Sequence, residues 1–240
     1  MRISVITPTL RGGADLDMAV ASVRAQTHTD IEHIIVSADP EVKAGGARVI
    51  HTPPRGVYDA LNRGFAAATG EVVGLLHAGD TFASADVLAR VARAFDTHAL
   101  DYIWGDIQYV SGADRRPGRR YSGSAGLSAT LLARGLQPPH PSLFMRREAL
   151  AAVGPYDTAE RVCADFDMWV RIAGDTRLRG AYSGILTTMM SLGGLSTRPG
   201  ARLWRNNLAK LRILRAHGLP ASPLRLAARY IYILRDYARR

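Results

Sequence analysis

A chain of 240 residues with 47% hydrophobic content can bury one large core, which excludes a disordered polymer and leaves one α/β domain, or one domain with a small appendage. The formal net charge of +10 is unevenly spread: Arg198 to Arg240 holds 11 Lys and Arg against the single acid Asp236, while residues 1–197 balance 20 bases with 20 acids. An anionic partner is therefore expected at the C-terminal segment alone, and the single cysteine, Cys163, excludes an internal disulfide.

No apolar run approaches the ~18 residues of a membrane span, and Ile3 to Ile6 is already strand-like where a leader would be apolar, so a cytosolic or membrane-peripheral protein is expected. Arg2 to Thr7 predicts a first strand, then a Pro8–Gly13 loop and a helix over 15–25 that buries Leu16, Ala19, Val20 and Val23. Ile31 to Ser37 predicts a second strand, closed by the turn formers Asp39-Pro40. Ala47 to Thr52 predicts a third. A helix over Gly56 to Ala68 turns Val57, Leu61, Phe65 and Ala68 inward and leaves Arg55, Asp59, Asn62 and Arg63 outside. Asp59 lies four residues from both arginines, so a local ion pair accounts for it. The start of this helix, with unpaired N–H groups and Arg55 beside it, suits an anion.

Gly70 to Asp80, GEVVGLLHAGD, is a short buried strand, Val72 to Leu76, ending in a small-residue corner with one carboxylate. In an open α/β sheet the first exposed position after such a strand borders the ligand, although Gly79-Asp80 is equally a turn leading to a helix over Ser84 to Phe95. Leu100 to Val110 alternates as a strand with Gly105 marking a bulge or close approach and Asp106 taken as structural. Ser111 to Tyr121, with Arg115, Arg116, Arg119 and Arg120, is expected to be a solvated hairpin loop. His140 lies between prolines in a turn that leads into a strand and a helix from about Arg147. The segment Cys163 to Arg171 predicts a helix that buries Phe166, Trp169, Val170 and Ala173 and leaves Asp165 at its exposed start, where the helix dipole favours a carboxylate. Strands over Leu178 to Ala181 and Ile185 to Ser191, a helix over Ala201 to His217 ended by Gly218, and a last helix from Pro223 to about Ala238 complete the chain.

Several of these stretches together resemble family 2 glycosyltransferases of the GT-A fold, particularly bacterial exopolysaccharide, O-antigen and colanic-acid-type sugar transferases. They are Arg55-Gly-Val-Tyr-Asp-Ala-Leu-Asn62-Arg-Gly64, Ala68-Thr-Gly-Glu71, His77-Ala-Gly-Asp80, Trp104-Gly-Asp106 and, most specifically, Cys163-Ala-Asp165-Phe-Asp167-Met-Trp-Val-Arg171. The resemblance covers residues 1–197 and implies a Rossmann-like mixed sheet flanked by helices, with 198–240 as a basic amphipathic helical extension. It implies inverting transfer of a sugar from a nucleotide-diphosphate sugar to a hydroxyl acceptor, a glycan or lipid-linked intermediate. Asp165 is then the catalytic base, with Asp167 and His140 as further candidates. Asp80 is then the ligand of Mg²⁺ or Mn²⁺, and Thr7, Pro8, Thr9, Asp39, Arg55, Asp59 and Asn62 are the donor-side residues. Gly193-Gly194 falls in a loop that closes over the donor in similar enzymes.

In the last predicted helix Leu226, Ala227, Tyr230, Ile231, Ile233, Leu234 and Tyr237 share one face, and Arg225, Arg229, Arg235, Arg239 and Arg240 the other. Such a helix either docks on the body or lies at the inner face of the cytoplasmic membrane against anionic lipid. Two other functions remain open. A nucleotidyltransferase needs a Gly-rich basic loop after the first strand, of which Arg11-Gly-Gly13 is a thin version, and a nucleic-acid-binding protein rests on the tail alone, so nucleic acid is not expected as a partner.

Overall fold

The computed structural model describes residues 1–112, 114–192, 202–227 and 229. Strands β1 (Ile3–Thr9), β2 (Ile31–Ser37), β3 (Arg48–His51) and β4 (Val72–Leu75) run parallel in the order β3-β2-β1-β4, with α1 (Ala14–Arg24) and α2 (Val57–Ala67) in the connections. β1, β2 and β4 are buried along almost their whole length, and the polar Ser4, Glu32, Thr7 and His33 within them pair with one another across the strands. Where consecutive strands leave β1 on opposite sides, a crevice opens at their carboxyl ends. The loops after Thr9, Ser37 and Leu75 meet there.

The second half of the sheet is mixed. β8 (Phe144–Arg146) pairs antiparallel with both β4 and β6 (Tyr102–Ser111), β9 (Gly180–Ser191) lies parallel to β6, and β5 (Thr81–Phe82) closes the edge against β9. β7 (Arg116–Tyr121) folds back on β6 as a hairpin. Helices α3 (Val87–Thr97), α4 (Ala129–Ala133), α5 (Arg147–Val153), α6 (Ala164–Gly174) and α7 (Arg202–Ala216) follow, and residues 223–227 and 229 are helical where the last helix is expected.

Three expectations shift. The two strands expected over Leu178–Ala181 and Ile185–Ser191 are one, β9, whose register against β6 jumps around Gly105 instead of breaking. β5 lies between Asp80 and the next helix, and α3 starts at Val87 because the Ser84 hydroxyl bonds Asp86 at 2.5 Å in a bend before it. The arginine-rich stretch after Ser111 is mostly strand rather than loop.

The main core joins both halves of the chain: Ile6, Leu61, Trp104, Phe166 and Trp169 belong to one buried cluster that also contains Leu211, Leu214 and Leu226. The described part of the C-terminal segment is thus docked on the body. Arg229, expected on the polar face, is buried and donates to Asn207 Oδ1 at 2.6 Å. Tyr230 and the residues beyond it in the expected amphipathic helix lie outside the described residues, as does Gly193-Gly194. α2 is seated directly on β1 because Gly64 has no side chain there; a Cβ would come within 2.2 Å of Ile6 Cγ2.

Candidate active site

Asp165 occupies the first turn of α6, a position favoured for a carboxylate by the helix N-terminus. Gln137 Nε2 donates to its Oδ2 at 2.8 Å, and the hydroxyl of Tyr58, in the first turn of α2, donates to Oδ1 at 3.3 Å. Two distant segments therefore fix one carboxylate. Gln137 Oε1 is buried without a partner among the described residues, because the amide turns its N–H₂ toward the acid.

The support behind this pair is aromatic. The Asn62 side chain donates to Tyr156 O at 2.9 Å and accepts from Tyr156 N at 2.8 Å, tying α2 to the turn after α5. The Tyr156 hydroxyl meets His140 Nε2 at 2.6 Å, and its ring packs 5.3 Å from that of Tyr58. Burial holds the His140 ring well below its ordinary pKa and raises the Tyr58 and Tyr156 phenols, so all three stay neutral. His140 is a buried strut here rather than a surface side chain, and both polar ends of the Asn62 amide are committed to backbone.

Asp167, two residues on, points elsewhere: 100° per residue puts it about 200° around α6 from Asp165. It accepts from Arg171 Nε at 2.8 Å and pairs with His217 Nε2 at 2.8 Å. Arg171 and His217 line a separate concavity of about 540 Å³ with Leu132, Val153, Arg177 and Leu219. Asp165 is not among its lining residues.

The second centre is the corner after β4. Gly79, at φ 90°, lets the chain reverse, and Asp80 is buried with Oδ1 accepting the Ser191 N–H at 3.0 Å. Burial pushes its carboxyl up to about 7. Arg115, expected in a solvated loop, instead enters this corner from the β6–β7 turn, where it has φ 51°. Its guanidinium donates to Gly79 O at 3.0 Å, Ser191 Oγ at 3.0 Å, Thr81 Oγ1 at 3.2 Å and Met189 O at 3.0 Å. Asp15, in the first turn of α1, contributes a second carboxylate: a Cβ on Gly79 would sit 3.6 Å from its Cγ.

Among the described residues no group of three or more His, Cys, Asp and Glu side chains could by itself hold a metal ion. One buried and one nearby carboxylate nevertheless suit a hard divalent cation that completes its shell with phosphate oxygens and water. Asp80 and the exposed Asp15 are the two carboxylates that the corner offers to such an ion.

The donor-side residues are split. β1 continues through Thr9, and Thr7 is wholly buried with its hydroxyl 2.9 Å from His33 Nε2, so it faces the sheet and not the crevice; Pro8 is buried within the strand. Thr9, at the strand end, bonds Arg11 O at 2.6 Å. Asp39 accepts the N–H groups of Glu41 at 3.0 Å and Gly12 at 3.2 Å, which lower its pKa and brace the ends of β1 and β2 together. Asp59 pairs with Arg63 at 2.8 Å, the local ion pair that the spacing suggests. Arg55 is exposed immediately before α2, whose N-cap, Gly56, offers no side-chain cap bond to the first-turn N–H groups. Sequence reasoning missed Tyr58, Gln137, Asp15, Arg115 and Ser191. Tyr58 was the accessible one, since it stands four residues before Asn62 on the same helix face.

The α/β crevice at the ends of β1, β2 and β4 and the acid corner after β4 lie within residues 4–154, which match the profile of Glycosyl transferase family 2. The chain belongs to that family and is a glycosyltransferase. A PGL/p-HBAD biosynthesis glycosyltransferase of Mycobacterium bovis is 33% identical over 207 residues, covering 80% of this chain and 78% of the relative. An uncharacterized glycosyltransferase of Nostoc is 34% identical over 185 residues, covering 69% and 57% respectively. Among solved structures, Staphylococcus aureus TarS superposes with a TM-score of 0.62 at 15% identity over 89% of this chain and 40% of that one. The mannosyltransferase PcManGT from Pyrobaculum calidifontis, in complex with GDP-Man and Mn²⁺, gives 0.60 at 16% over 90% and 62%. The fold is GT-A. Neither a nucleotidyltransferase nor a nucleic-acid-binding protein is favoured by these likenesses.

Proposed function

We propose that residues 1–197 carry an inverting sugar transfer from a nucleotide-diphosphate sugar to a hydroxyl acceptor, with Asp165 as the base. The observation that carries this reading is the carboxylate of Asp165 held by Tyr58 and Gln137 at the start of α6. An acid fixed by one donor on each oxygen keeps a lone-pair direction free for an incoming hydroxyl. As the acceptor oxygen bonds to the anomeric carbon from the face opposite the diphosphate, its proton passes to Asp165 and the carbon–phosphate oxygen bond breaks. The configuration inverts because attack and departure are in line.

Negative charge then accumulates on the departing diphosphate. Arg55 and the open N-terminus of α2 are the cationic and dipolar partners on this side of the crevice, while Thr9 and Asp39 border it at the ends of β1 and β2. Mg²⁺ or Mn²⁺ on Asp80 and Asp15, when bound, supplies Lewis-acid stabilisation of that leaving group. Related structures in complex with UDP-GlcNAc, and with GDP-Man and Mn²⁺, support a nucleotide-sugar donor and a divalent cation. The basic C-terminal segment supports a lipid-linked acceptor reached from the cytoplasmic face of the membrane. Among the described residues no helix is long and apolar enough to cross a membrane.

The test is a thermal-shift screen of UDP-, GDP- and dTDP-sugars with and without Mn²⁺, followed by NMR of the product's anomeric proton. A cation-dependent shift with one sugar class and an inverted product supports the reading. Retention of configuration would overturn it.

A further inference from the structure

α7 presents two unlike faces. Ala209, Leu211, Ile213 and Leu214 are buried in the core, whereas Trp204 is 75% exposed and Leu208 60% exposed. The two lie one turn apart, at i and i+4, and the same stripe continues at i+8 with Arg212, whose guanidinium is paired with the buried Glu160, and at i+11 with the exposed Arg215. Arg205 is exposed next to Trp204, and Leu224, beyond the end of α7, is 83% exposed. The other two tryptophans of the chain, Trp104 and Trp169, are 6% and 0% exposed.

We infer that this outer face of α7 is the membrane-docking surface, with Trp204 and Leu208 entering the interfacial region and Arg205 and Arg215 engaging anionic headgroups. This rests on the proposed lipid-linked acceptor and relocates the contact from the last helix, where the amphipathic pattern is strongest, to α7. Leu226 and Arg229, expected on opposite faces of that last helix, are both buried against the body, so the described part of it is already occupied.

Charge selects the occupant. The segment 198–240 carries 11 bases and one acid, so a second copy of this chain would bring like charge against like. An anionic bilayer is complementary, and an indole beside arginines suits its interface, where the ring is half desolvated and the cations stay hydrated. Two apolar side chains alone insert too little surface to hold a protein, so binding depends on anionic lipid and on salt. The face is also tied to the chemistry. Cys163 Sγ donates to Asn206 O at 3.8 Å, and Lys210 Nζ donates to Gly135 O at 2.8 Å and lies 4.4 Å from the Phe166 ring centroid. Cys163 and Phe166 flank Asp165, so the helix that meets lipid is bonded to the segment that carries the base.

The test uses acceptor-free vesicles, so that it reads docking without transfer. Full-length protein is mixed with phosphatidylcholine vesicles with or without 30% phosphatidylglycerol, some with brominated acyl chains, and tryptophan emission is followed together with co-sedimentation. Because Trp104 and Trp169 are buried, quenching reports Trp204. Expected are binding to anionic vesicles only, bromine quenching, reversal by 0.5 M salt, and at least a tenfold loss of binding in Trp204→Ser/Leu208→Ser with the melting temperature unchanged. Undiminished binding by the double variant, binding without quenching, or a vesicle-free dimer that the substitutions dissolve would each overturn the inference. So would a Trp204 shielded from acrylamide in the free protein, which would mean that residues 230–240 cover it. Nucleotide-sugar transfer to a water-soluble acceptor, measured separately, tells failure of docking from failure of the transferase reading.

Discussion

Gln137 and Asp165, 28 residues apart, meet at 2.8 Å through Nε2 and Oδ2, and the acceptor atom of the same amide is left buried without a partner among the described residues. An amide kept in that orientation at the cost of an unsatisfied oxygen serves the carboxylate more than the fold. Gln137→Leu is therefore expected to lower kcat about tenfold, since small misplacements of a reacting group are costly, with donor KM unchanged. Its melting temperature should hold or rise, because the unpaired oxygen goes too. Full kcat in this variant would remove Gln137 from the positioning of the base.

If Asp80 holds the cation as proposed, donor binding is expected to depend on pH. Burial raises its carboxyl to about 7 from 3.8, so the charged form that holds a cation is lost as pH falls through 7. Donor KM in the presence of Mn²⁺ is expected to rise on acidification with an inflection near 7. The linkage to stability has the opposite sense: between 3.8 and 7 the folded chain binds more protons here than the unfolded one, so this group's contribution falls as pH rises through that window. Asp80→Asn should accordingly melt no lower than wild type at pH 8 while transfer falls about 10²-fold. A flat KM profile between pH 5.5 and 8.5 would contradict the assignment.

Arg115 joins the β6–β7 turn to Gly79, Thr81, Met189 and Ser191. Removing its guanidinium in Arg115→Met takes one donor from the Met189 carbonyl and one from the Gly79 carbonyl, which keeps the Ser191 hydroxyl at 2.6 Å, at a cost of about 0.5–1.5 kcal/mol per hydrogen bond, and frees the strand end whose N–H aligns Asp80. A raised donor KM is expected beside a lower unfolding midpoint, with Arg115→Lys restoring only part because an ammonium lacks the planar fork. Chemical denaturation and donor titration of both variants check this; an unchanged KM would reduce Arg115 to a structural staple.

Gly64→Ala places a Cβ about where Ile6 Cγ2 lies, at 2.2 Å, and overpacking of this kind costs ~1–3 kcal/mol. Urea denaturation should show that loss, and the Gly64→Ala/Ile6→Ala double variant should lose less than the sum of the two single losses, since the two residues share one contact.

The strands through Leu75 and the helices between them were legible because each is a short apolar run or a 3.6-residue pattern that tertiary packing then reinforces. Asp165 and Asp80 were legible as residues at element ends. Their surroundings were not. Four arginines between Ser111 and Tyr121 look like a solvated hairpin, yet Arg115, from left-handed backbone, enters the Asp80 corner and Arg120 pairs with the buried Asp106. Asn62 reads as a ligand on an open helix face, yet its partner, Tyr156, is 94 residues away. Arg229 was assigned to water by helical spacing, but the docking of Leu226 beside it buries both. Long-range side-chain bonds of this kind leave no local pattern in the chain.

The most direct measurement is steady-state transfer by Asp165→Asn beside calorimetric binding of the same nucleotide sugar. An amide keeps the shape of the side chain and its contacts with Tyr58 but cannot take the acceptor's proton, so kcat should fall by ~10²–10⁴ while donor Kd stays within about threefold. Turnover near that of wild type would show that Asp165 only caps α6 and that the base lies elsewhere.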